Sequence, residues 1–350
     1  MNGRDKPKVI DVPAAEQNAA PGGVETASPG PGWRQLLQTG SGDALRTYGI
    51  LGALVVLVIA ASVLYPGFLD SGNLRNILSQ NAALGIAAVG VTFVIIGAGF
   101  DLSVPAVVGI GAVVSAKLSD GSVVMVLLTV IMAGLVCGLI NGLIVTRLRV
   151  NPFIATLGTS SIFTGATLLY ASGTSISISD PTFIKIGQQD WFGLRISVWI
   201  MLFIFLIAGI VLWKTTFGRA VYAIGGNSEA ARLAGVRVDL VRTTTYALSG
   251  VTSALAGFVI ASTLLVGQLD VGQSGYALQA IAAVVIGGCS LFGGMGAIWR
   301  TAAGLTLLAV LTNLFNALAI QSAWQSIVQG AILIVTVGID VATRSGRGRS

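Results

Sequence analysis

The sequence predicts an all-α protein, a polytopic bundle of membrane-spanning helices. Of its 350 residues, 54% are hydrophobic and only 10% are charged, and the mean hydropathy is +0.86. A soluble protein needs more polar side chains than this to cover its surface. Apolar stretches of about 17 to 25 residues, the length that crosses roughly 30 Å of hydrocarbon, recur along the chain. The pattern predicts about ten spans, within a range of about 8–10.

The predicted spans are separated by Gly, Pro or charged residues. In chain order they cover residues 48–65, 82–99, 103–118, 122–146, 153–171, 196–213, 243–266, 277–292, 301–320 and 326–342. Residues 1–46 are rich in Pro, Gly and Ala and poor in large apolar groups, so they are predicted to be a disordered cytoplasmic tail. Residues 47–343 form the transmembrane domain, and residues 344–350 form a basic cytoplasmic tail.

The distribution of Lys and Arg predicts the orientation. If the N-terminus is cytoplasmic and the spans alternate, sixteen of the twenty basic residues lie inside. The four that lie outside are Arg75, Lys117, Lys185 and Arg195. This bias predicts that both termini are cytoplasmic. It also places the connection 172–195 outside and the connection 214–242 inside.

Composition excludes several classes of function. The chain contains no histidine, which removes histidine-based catalysis and histidine metal sites, and we expect neither a cofactor nor a metal. Its basic residues lie at loop ends rather than on a basic face, so nucleic acid is not an expected partner. Cys137 and Cys289 lie far apart inside apolar segments, which indicates packing rather than a disulfide. No Gly-x4-Gly-Lys sequence is present, and this excludes a phosphate-binding loop of that kind.

The cytoplasmic connection 214–242 contains a short predicted helix. Gly225-Gly226-Asn227 is a turn signal, Ser228 is the expected N-cap, and Glu229 lies in the first turn. The next residues are good helix formers, and Gly235 is the expected stop. Two interpretations fit this pattern: a small-faced helix that seats in a groove of another protein, or a connector on the bilayer surface.

The same connection carries a family resemblance. The residues that carry it are Arg219, Tyr222, Gly225, Gly226, Asn227, Glu229, Ala230, Ala231, Arg232, Leu233 and Gly235. This string resembles the coupling loop of ribose/xylose/galactose-type ABC sugar permeases. In that family the loop docks into the ATPase subunit. The resemblance implies that Glu229, Ala230, Ala231, Arg232 and Gly235 form the docking helix.

Further strings extend the resemblance from about Leu51 onward. They include Gly99–Val104, Asn141–Gly158 and the glycine-rich stretch 275–294. Ala277 and Gln279 stand where relatives usually carry carboxylates, so the substrate and the docking of the receptor remain open. The resemblance implies a bacterial inner-membrane permease that passes a monosaccharide but is not itself an enzyme, and it does not indicate which sugar.

The resemblance also implies partners. These are an ABC ATPase subunit inside, a periplasmic or extracellular sugar-binding protein outside, a second copy or paralogue of the permease, and membrane lipid. Three alternatives stay open: a branched-chain amino-acid-type ABC permease, a self-sufficient secondary carrier or channel, and a membrane scaffold that transports nothing. Nearly absent charge within the spans disfavours an ion-coupled carrier, because such carriers use carboxylate relays.

Polar residues within the spans, or in the break between two of them, are the candidate pathway or gating residues: Asp101, Ser103, Asn141, Asn313 and Asn316. Asp101 follows a glycine-rich interruption, so capping of the next helix is an alternative to a role in gating. For the asparagines, the alternative to lining the pathway is hydrogen bonding between helices.

Glycines predict two further features. Gly134, Gly138 and Gly142 are spaced by four residues and predict a smooth stripe for close helix packing. The interrupted segment 95–103 resembles the segment 286–294, which suggests an internal repeat.

Overall fold

Helices account for most of the structure, a computed structural model that describes residues 33–269 and 275–345. The helices are α1 (Trp33–Leu64), α2 (Ser71–Gln80), α3 (Ala82–Ile96), α4 (Val104–Lys117), α5 (Val123–Thr146), α6 (Pro152–Tyr170), α7 (Pro181–Gln188), α8 (Ile196–Lys214), α9 (Thr216–Gly226), α10 (Ser228–Leu233), α11 (Val238–Leu264), α12 (Tyr276–Ile286), α13 (Ile298–Ala317) and α14 (Ser322–Ser345). The predicted all-α class is confirmed.

Short strands tie together the connections near α7 and after α11. Strand β1 (Ile176–Ser177) pairs antiparallel with β4 (Val266–Gly267). Strands β2 (Asp190–Trp191) and β3 (Leu194–Arg195) form a hairpin. These pairs and helix α7 give order to the connection 172–195, for which the sequence predicted no secondary structure.

Among the described residues, five helices are long and apolar enough to cross a membrane: α5, α6, α8, α11 and α13. Helices α2 and α3 pass the same test together but are bent by 46°. Shorter apolar helices lie within α1 and α14 and at α4 and α12, so each of the ten predicted segments overlaps a helix. Large apolar side chains are exposed along α5, α6 and α8, as expected for surfaces that face lipid.

Helix α3 is the centre of the bundle. All of its residues from Ala82 to Ile96 are buried, because the helix is apolar on every side and carries no charge. It packs against α11, α12 and α8. A Cβ at Gly90 would overlap the Thr252 hydroxyl of α11, so the two backbones approach closely at this point.

The predicted glycine stripe of α5 is confirmed. Helices α5 and α11 pack along it, and a Cβ at Gly134 or Gly138 would overlap the carbonyl oxygens of Gly250 or Tyr246. At Gly142 the added Cβ would lie 2.8 Å from the Cα of Thr243. The absence of side chains along one face therefore permits backbone contact between these helices.

The chain divides into two compact units, Met1–Asp43 and Ala44–Ser350, and the sites below belong to the second. Most of the predicted tail 1–46 lies outside the described residues, although α1 begins at Trp33 within it. Of the predicted basic tail 344–350, only residues 344 and 345 are described, at the end of α14.

Candidate functional site: the α9–α10 region and its junction with the bundle

Two consecutive helices, not one, occupy the predicted cytoplasmic connection. Thr215 caps α9, because its hydroxyl accepts a hydrogen bond from Gly218 N at 3.1 Å. Val221 and Ile224 of α9 are buried in a cluster with Phe93 and Ile96 of α3. The sequence did not predict α9, because three of its eleven residues are glycine, which weakens the helical signal.

Asn227 separates α9 from α10. Its backbone is extended (φ −156°, ψ 104°), and its side-chain oxygen accepts a hydrogen bond from Ala230 N at 3.0 Å. The prediction of Ser228 as the N-cap was therefore wrong by one residue. Ser228 is the first residue of α10, and Asn227 has the non-helical backbone that an N-cap requires.

Helix α10 ends at Leu233, and Gly235 is the stop that the sequence predicted. Gly235 has a positive φ of 84°, Gly235 N donates to the Arg232 carbonyl, and Val236 N donates to the Ala231 carbonyl, each at 3.0 Å. These two bonds form a Schellman motif, which satisfies the last carbonyls of the helix. Caps at both ends therefore define this short helix, which is too short to be stable by itself.

Helix α10 buries one side chain and exposes most of the others. Ala231 is 6% exposed and packs in the cluster that contains Ile224 and Val238. Glu229, Ala230 and Arg232 are exposed, and Leu233 is 89% exposed. The exposed side chains of Ala230 and Leu233 form a small apolar patch between charged residues.

A polar groove of about 400 Å³ runs beside α10. Its charged lining consists of Arg149, Glu229, Arg232, Asp239 and Arg242. Arg232 Nη2 lies 3.8 Å from Asp239 Oδ1, and Arg242 Nε is buried without a hydrogen-bond partner. The groove thus offers both positive and negative charge to a side chain of another molecule. Arg219 is exposed on α9 and does not line it.

The end of α9 meets two helix breaks at a glycine junction, which we define by Ile96, Gly225, Gly226, Gly293 and Gly294. A Cβ at Gly225 would overlap the Ile96 carbonyl oxygen. That same oxygen accepts a hydrogen bond from Gly294 N at 2.8 Å. Gly293 and Gly294 both have positive φ, of 83° and 71°. Three backbone segments are therefore in direct contact at the glycine junction.

Tyr222 adds a side-chain bond beside this junction. Its hydroxyl donates to the Gly296 carbonyl at 2.7 Å, which ties α9 to the connection before α13. The interrupted segments 95–103 and 286–294, which the sequence suggested to be a repeat, touch each other here. A Cβ at Gly293 would lie 2.6 Å from the Cβ of Ala98. The two helix breaks are therefore neighbours in the folded structure.

A second polar cluster surrounds Asp101, which is 3% exposed. One carboxylate oxygen accepts from Ser103 N at 3.0 Å and from Ser103 Oγ at 2.6 Å, and the other accepts from Ser249 Oγ at 2.7 Å. The predicted capping of α4 by Asp101 is corrected in one respect. Ser103 occupies the N-cap position, and Asp101 bonds the N–H of Ser103 rather than a first-turn N–H of the helix.

The cluster continues to α5 and α6. Asn141 Nδ2 donates to Ser103 Oγ at 2.7 Å, and Asn141 Oδ1 accepts from Thr159 Oγ1 at 2.6 Å. Thr156 Oγ1 accepts from Leu102 N at 3.0 Å. Three of the five candidate pathway residues, Asp101, Ser103 and Asn141, are therefore in one hydrogen-bonded network that joins α4, α5, α6 and α11.

The comparisons with known proteins assign a family to this architecture. A family model described as "Branched-chain amino acid transport system / permease component" matches residues 73–337. The chain belongs to this permease family. The match covers the glycine junction, the α9–α10 pair and the Asp101 network.

The permease is similar over most of its length to curated sugar-import permeases. It is 40% identical to the ribose import permease protein RbsC of Bacillus subtilis, across 85% of this chain and 93% of the relative. It is 38% identical to RbsC of Haemophilus influenzae (82% and 91%), and 37% identical to the L-arabinose transport system permease protein AraH of Escherichia coli (84% and 90%). The predicted resemblance to sugar permeases is confirmed. No solved structure gives a significant match.

The remaining candidate residues of the permease lie elsewhere. Asn313 and Asn73 exchange amide hydrogen bonds of 2.8 and 3.2 Å, and Asn316 Oδ1 accepts from Gln325 Nε2 at 2.9 Å. These bonds join α13 to α2 and to α14. Among the described residues, no group of three or more His, Cys, Asp or Glu side chains could hold a metal ion.

Sequence reasoning missed Ser249, Thr156 and Thr159. Ser249 lies 148 residues from Asp101 along the chain, so no local pattern connects the two. A hint was available for α6, whose Thr156 and Thr159 follow the break at Asn151-Pro152 and are three residues apart, on one helix face. The coupling prediction, in contrast, depended on contiguous residues, and it located the exposed helix correctly.

Proposed function

We propose that this chain is the membrane-spanning permease subunit of an ATP-driven importer of a monosaccharide. The observation that carries the proposal is α10, a capped helix that exposes Glu229, Ala230 and Arg232 and buries Ala231. Its exposed patch and the charged groove beside it suit a protein partner better than a lipid surface. The names of the high-coverage relatives support sugar as the cargo class.

The topology belongs to the same proposal. The permease has ten spans, with both termini cytoplasmic, in a bacterial inner membrane. The overlap of every predicted segment with a helix supports ten spans, and the bias of Lys and Arg toward one side supports the orientation. In this arrangement α9 and α10 face the cytoplasm and the β2–β3 hairpin faces outside.

The proposed partners follow from what the chain lacks. It has no phosphate-binding loop of the Gly-x4-Gly-Lys kind, so a separate ABC ATPase supplies the work. A soluble receptor outside delivers the sugar, and a second permease copy or paralogue completes the pathway. Arg219, Gly225, Gly226, Asn227 and the residues of α10 form the coupling element.

The glycine junction suggests how motion passes from α10 into the membrane. When the ATPase subunits close, they displace α10, and α9 follows because only Asn227 separates the two helices. Gly225 and Gly226 contact the end of α3 and the loop before α13 without intervening side chains. Displacement of α9 therefore acts on both helix breaks at once.

The contacts favour a structural role for the Asp101 network. Both carboxylate oxygens of Asp101, the Ser103 hydroxyl and both polar atoms of the Asn141 amide form hydrogen bonds with other residues of the chain. We therefore propose that these residues hold α4, α5, α6 and α11 together as one unit during transport. They do not line the path of the sugar.

Reconstitution tests the proposal. The chain is placed in liposomes alone, and then together with the ABC ATPase and the sugar receptor of the proposed complex, and uptake of labelled D-ribose, L-arabinose and L-leucine is measured. We expect ATP-dependent uptake of a sugar by the complete complex only. Uptake by the chain alone would indicate a secondary carrier, and uptake of L-leucine without sugar would indicate the amino-acid alternative.

A charge reversal on α10 separates the importer from a scaffold. Glu229→Arg should reduce uptake at least tenfold and leave the folded yield unchanged, because Glu229 is exposed. Asp120→Arg is the matched control, since Asp120 is also exposed but lies in the connection between α4 and α5. Equal uptake by both variants would contradict coupling through α10.

A further inference from the structure

A polar cavity lies at the opposite end of α3 from the glycine junction. Its volume is about 280 Å³, close to the lower end of small-ligand pockets at about 300 Å³. Helices α12, α13 and α14 form its other walls. Asn81 precedes α3 and Ile96 ends it, so the cavity and the junction are about 22 Å apart at about 1.5 Å per residue.

The polar lining of this cavity is uncharged. It consists of Asn81, Gln279, Thr312, Ser322, Gln325, Ser326 and Gln329, with Leu84 and Leu308 as apolar members. Amides and hydroxyls both donate and accept hydrogen bonds. An ionic ligand would find no counter-charge among the described lining residues, and an apolar ligand would leave the amides unpaired. A neutral polyol matches the lining, because each of its hydroxyls also donates and accepts.

Several amide groups that line the cavity have hydrogen-bonding capacity that the described residues do not use. Gln279 is partly buried, and its side-chain amide has no hydrogen-bond partner in the described part of the chain. Gln329 Nε2 reaches Thr312 Oγ1 only at 3.3 Å, a long hydrogen bond. Asn81 Nδ2 donates to the Ile77 carbonyl at 2.8 Å, which leaves its side-chain oxygen available. Amides in apolar helices are costly unless something pairs with them.

We propose that this cavity binds a neutral polyol, with Gln279, Thr312 and Gln329 in contact with its hydroxyl groups. The identification of that polyol with the imported sugar rests on the proposed function. Helix α3 connects the cavity to Gly225, and α13 begins at Ile298 beside Ile224 and reaches the cavity at Thr312. The ligand and the coupling helix therefore act on the two ends of the same helices.

Saturation-transfer NMR on the full chain in lipid nanodiscs tests the site without any transport partner. The probes are D-ribose, L-arabinose and, as a comparison, L-leucine. We expect saturation of at least one sugar and none of L-leucine. Gln279→Leu and Gln329→Leu should reduce the sugar signal at least fivefold. Gln80→Leu should not, because Gln80 is exposed at the end of α2 and does not line the cavity.

An analogue that lacks one hydroxyl separates contact from mere structural support. For wild type we expect 2-deoxy-D-ribose to bind more weakly than D-ribose, and in at least one of the two leucine variants this difference should shrink at least twofold. Absence of a sugar signal in wild type, or equal signals in Gln279→Leu and Gln80→Leu, would overturn the proposal. The proposed function fails by a separate result, the absence of ATP-dependent sugar uptake by the complete complex.

Discussion

Helices α9 and α10 are consecutive, yet they relate to the bundle in opposite ways. Helix α9 buries Val221, Ile224 and Gly225 against α3 and the loop before α13. Helix α10 buries Ala231 and exposes its remaining residues except the partly covered Ser228. The difference assigns different tasks to the two helices: α10 is a surface for another protein, and α9 connects that surface to the membrane domain.

This division explains the pattern of small residues. At Gly218 and Gly225 of α9, and at Gly293 of the junction, glycine is required because carbonyl oxygens or backbone nitrogens occupy the space of a side chain. In α10, alanine is permitted rather than required, and helix propensity with two caps maintains the helix. Substitutions should therefore reduce stability in α9 and reduce coupling in α10.

Gly225→Ala should have the largest effect. The added methyl overlaps the Ile96 carbonyl oxygen, and backbone on both sides leaves little room to relax. We expect a loss of about 3 kcal/mol or more, seen as a lower thermal midpoint and a low folded yield in detergent. Gly226→Ala is the matched control, because nothing lies within 4 Å of a Cβ there. Equal midpoints for the two variants would contradict the glycine junction.

Asp101→Ala should have the next largest effect. It measures how much stability is lost when buried hydrogen bonds are broken at a site away from α9. It leaves Ser103 N–H, Ser103 Oγ–H and Ser249 Oγ–H without their acceptor. We expect a loss of about 2 kcal/mol in the free energy of unfolding, measured by thermal unfolding in detergent. Ser249→Ala, which removes one donor, should cost less than Asp101→Ala. Unchanged stability of Asp101→Ala together with loss of uptake would instead favour a gating role.

Asn227→Ala should destabilise α10 locally by about 1 kcal/mol, because Ala230 N loses its acceptor. Faster hydrogen exchange of the Ala230 amide, with α9 amides unchanged, is the expected readout. Asn227→Asp should preserve protection. Ser228→Ala distinguishes the two candidate caps. If Ser228→Ala lost the protection of the Ala230 amide and Asn227→Ala kept it, Ser228 would be the cap of α10.

Arg232→Ala should have the smallest effect on stability. The ion pair of Arg232 with Asp239 spans 3.8 Å, and both side chains are more than half exposed, so water and salt screen it. We expect the free energy of unfolding, measured from the thermal midpoint of the permease, to change by no more than about 0.5 kcal/mol. A loss comparable to that of Asp101→Ala would show that α10 is held by charge rather than by Ala231 and its caps.

Local sequence signals predicted the apolar helices and the packing face of α5, but not α7, α9 or the contacts between distant segments. Each apolar segment corresponds to a helix, and Gly134, Gly138 and Gly142 gave the packing face of α5 because a helix repeats every 3.6 residues. The exposed helix near residue 230 was predictable from helix formers between two turn residues. The bond of Asp101 to Ser249 and the meeting of Ile96, Gly225 and Gly294 depend on tertiary structure, which no local spacing encodes.

The most direct test of the account is the accessibility of α10 from each side of the membrane. Cys137 and Cys289 are buried, so a single added cysteine can be followed with a membrane-impermeant maleimide. We expect Ala230→Cys to react in inside-out vesicles but not in intact cells, and to be protected when the ATPase subunit binds. Buried Ala231→Cys should react at least tenfold more slowly, and Ser175→Cys should react from the outside. Labelling of Ala230→Cys from outside, or labelling that the ATPase leaves unchanged, would contradict the account.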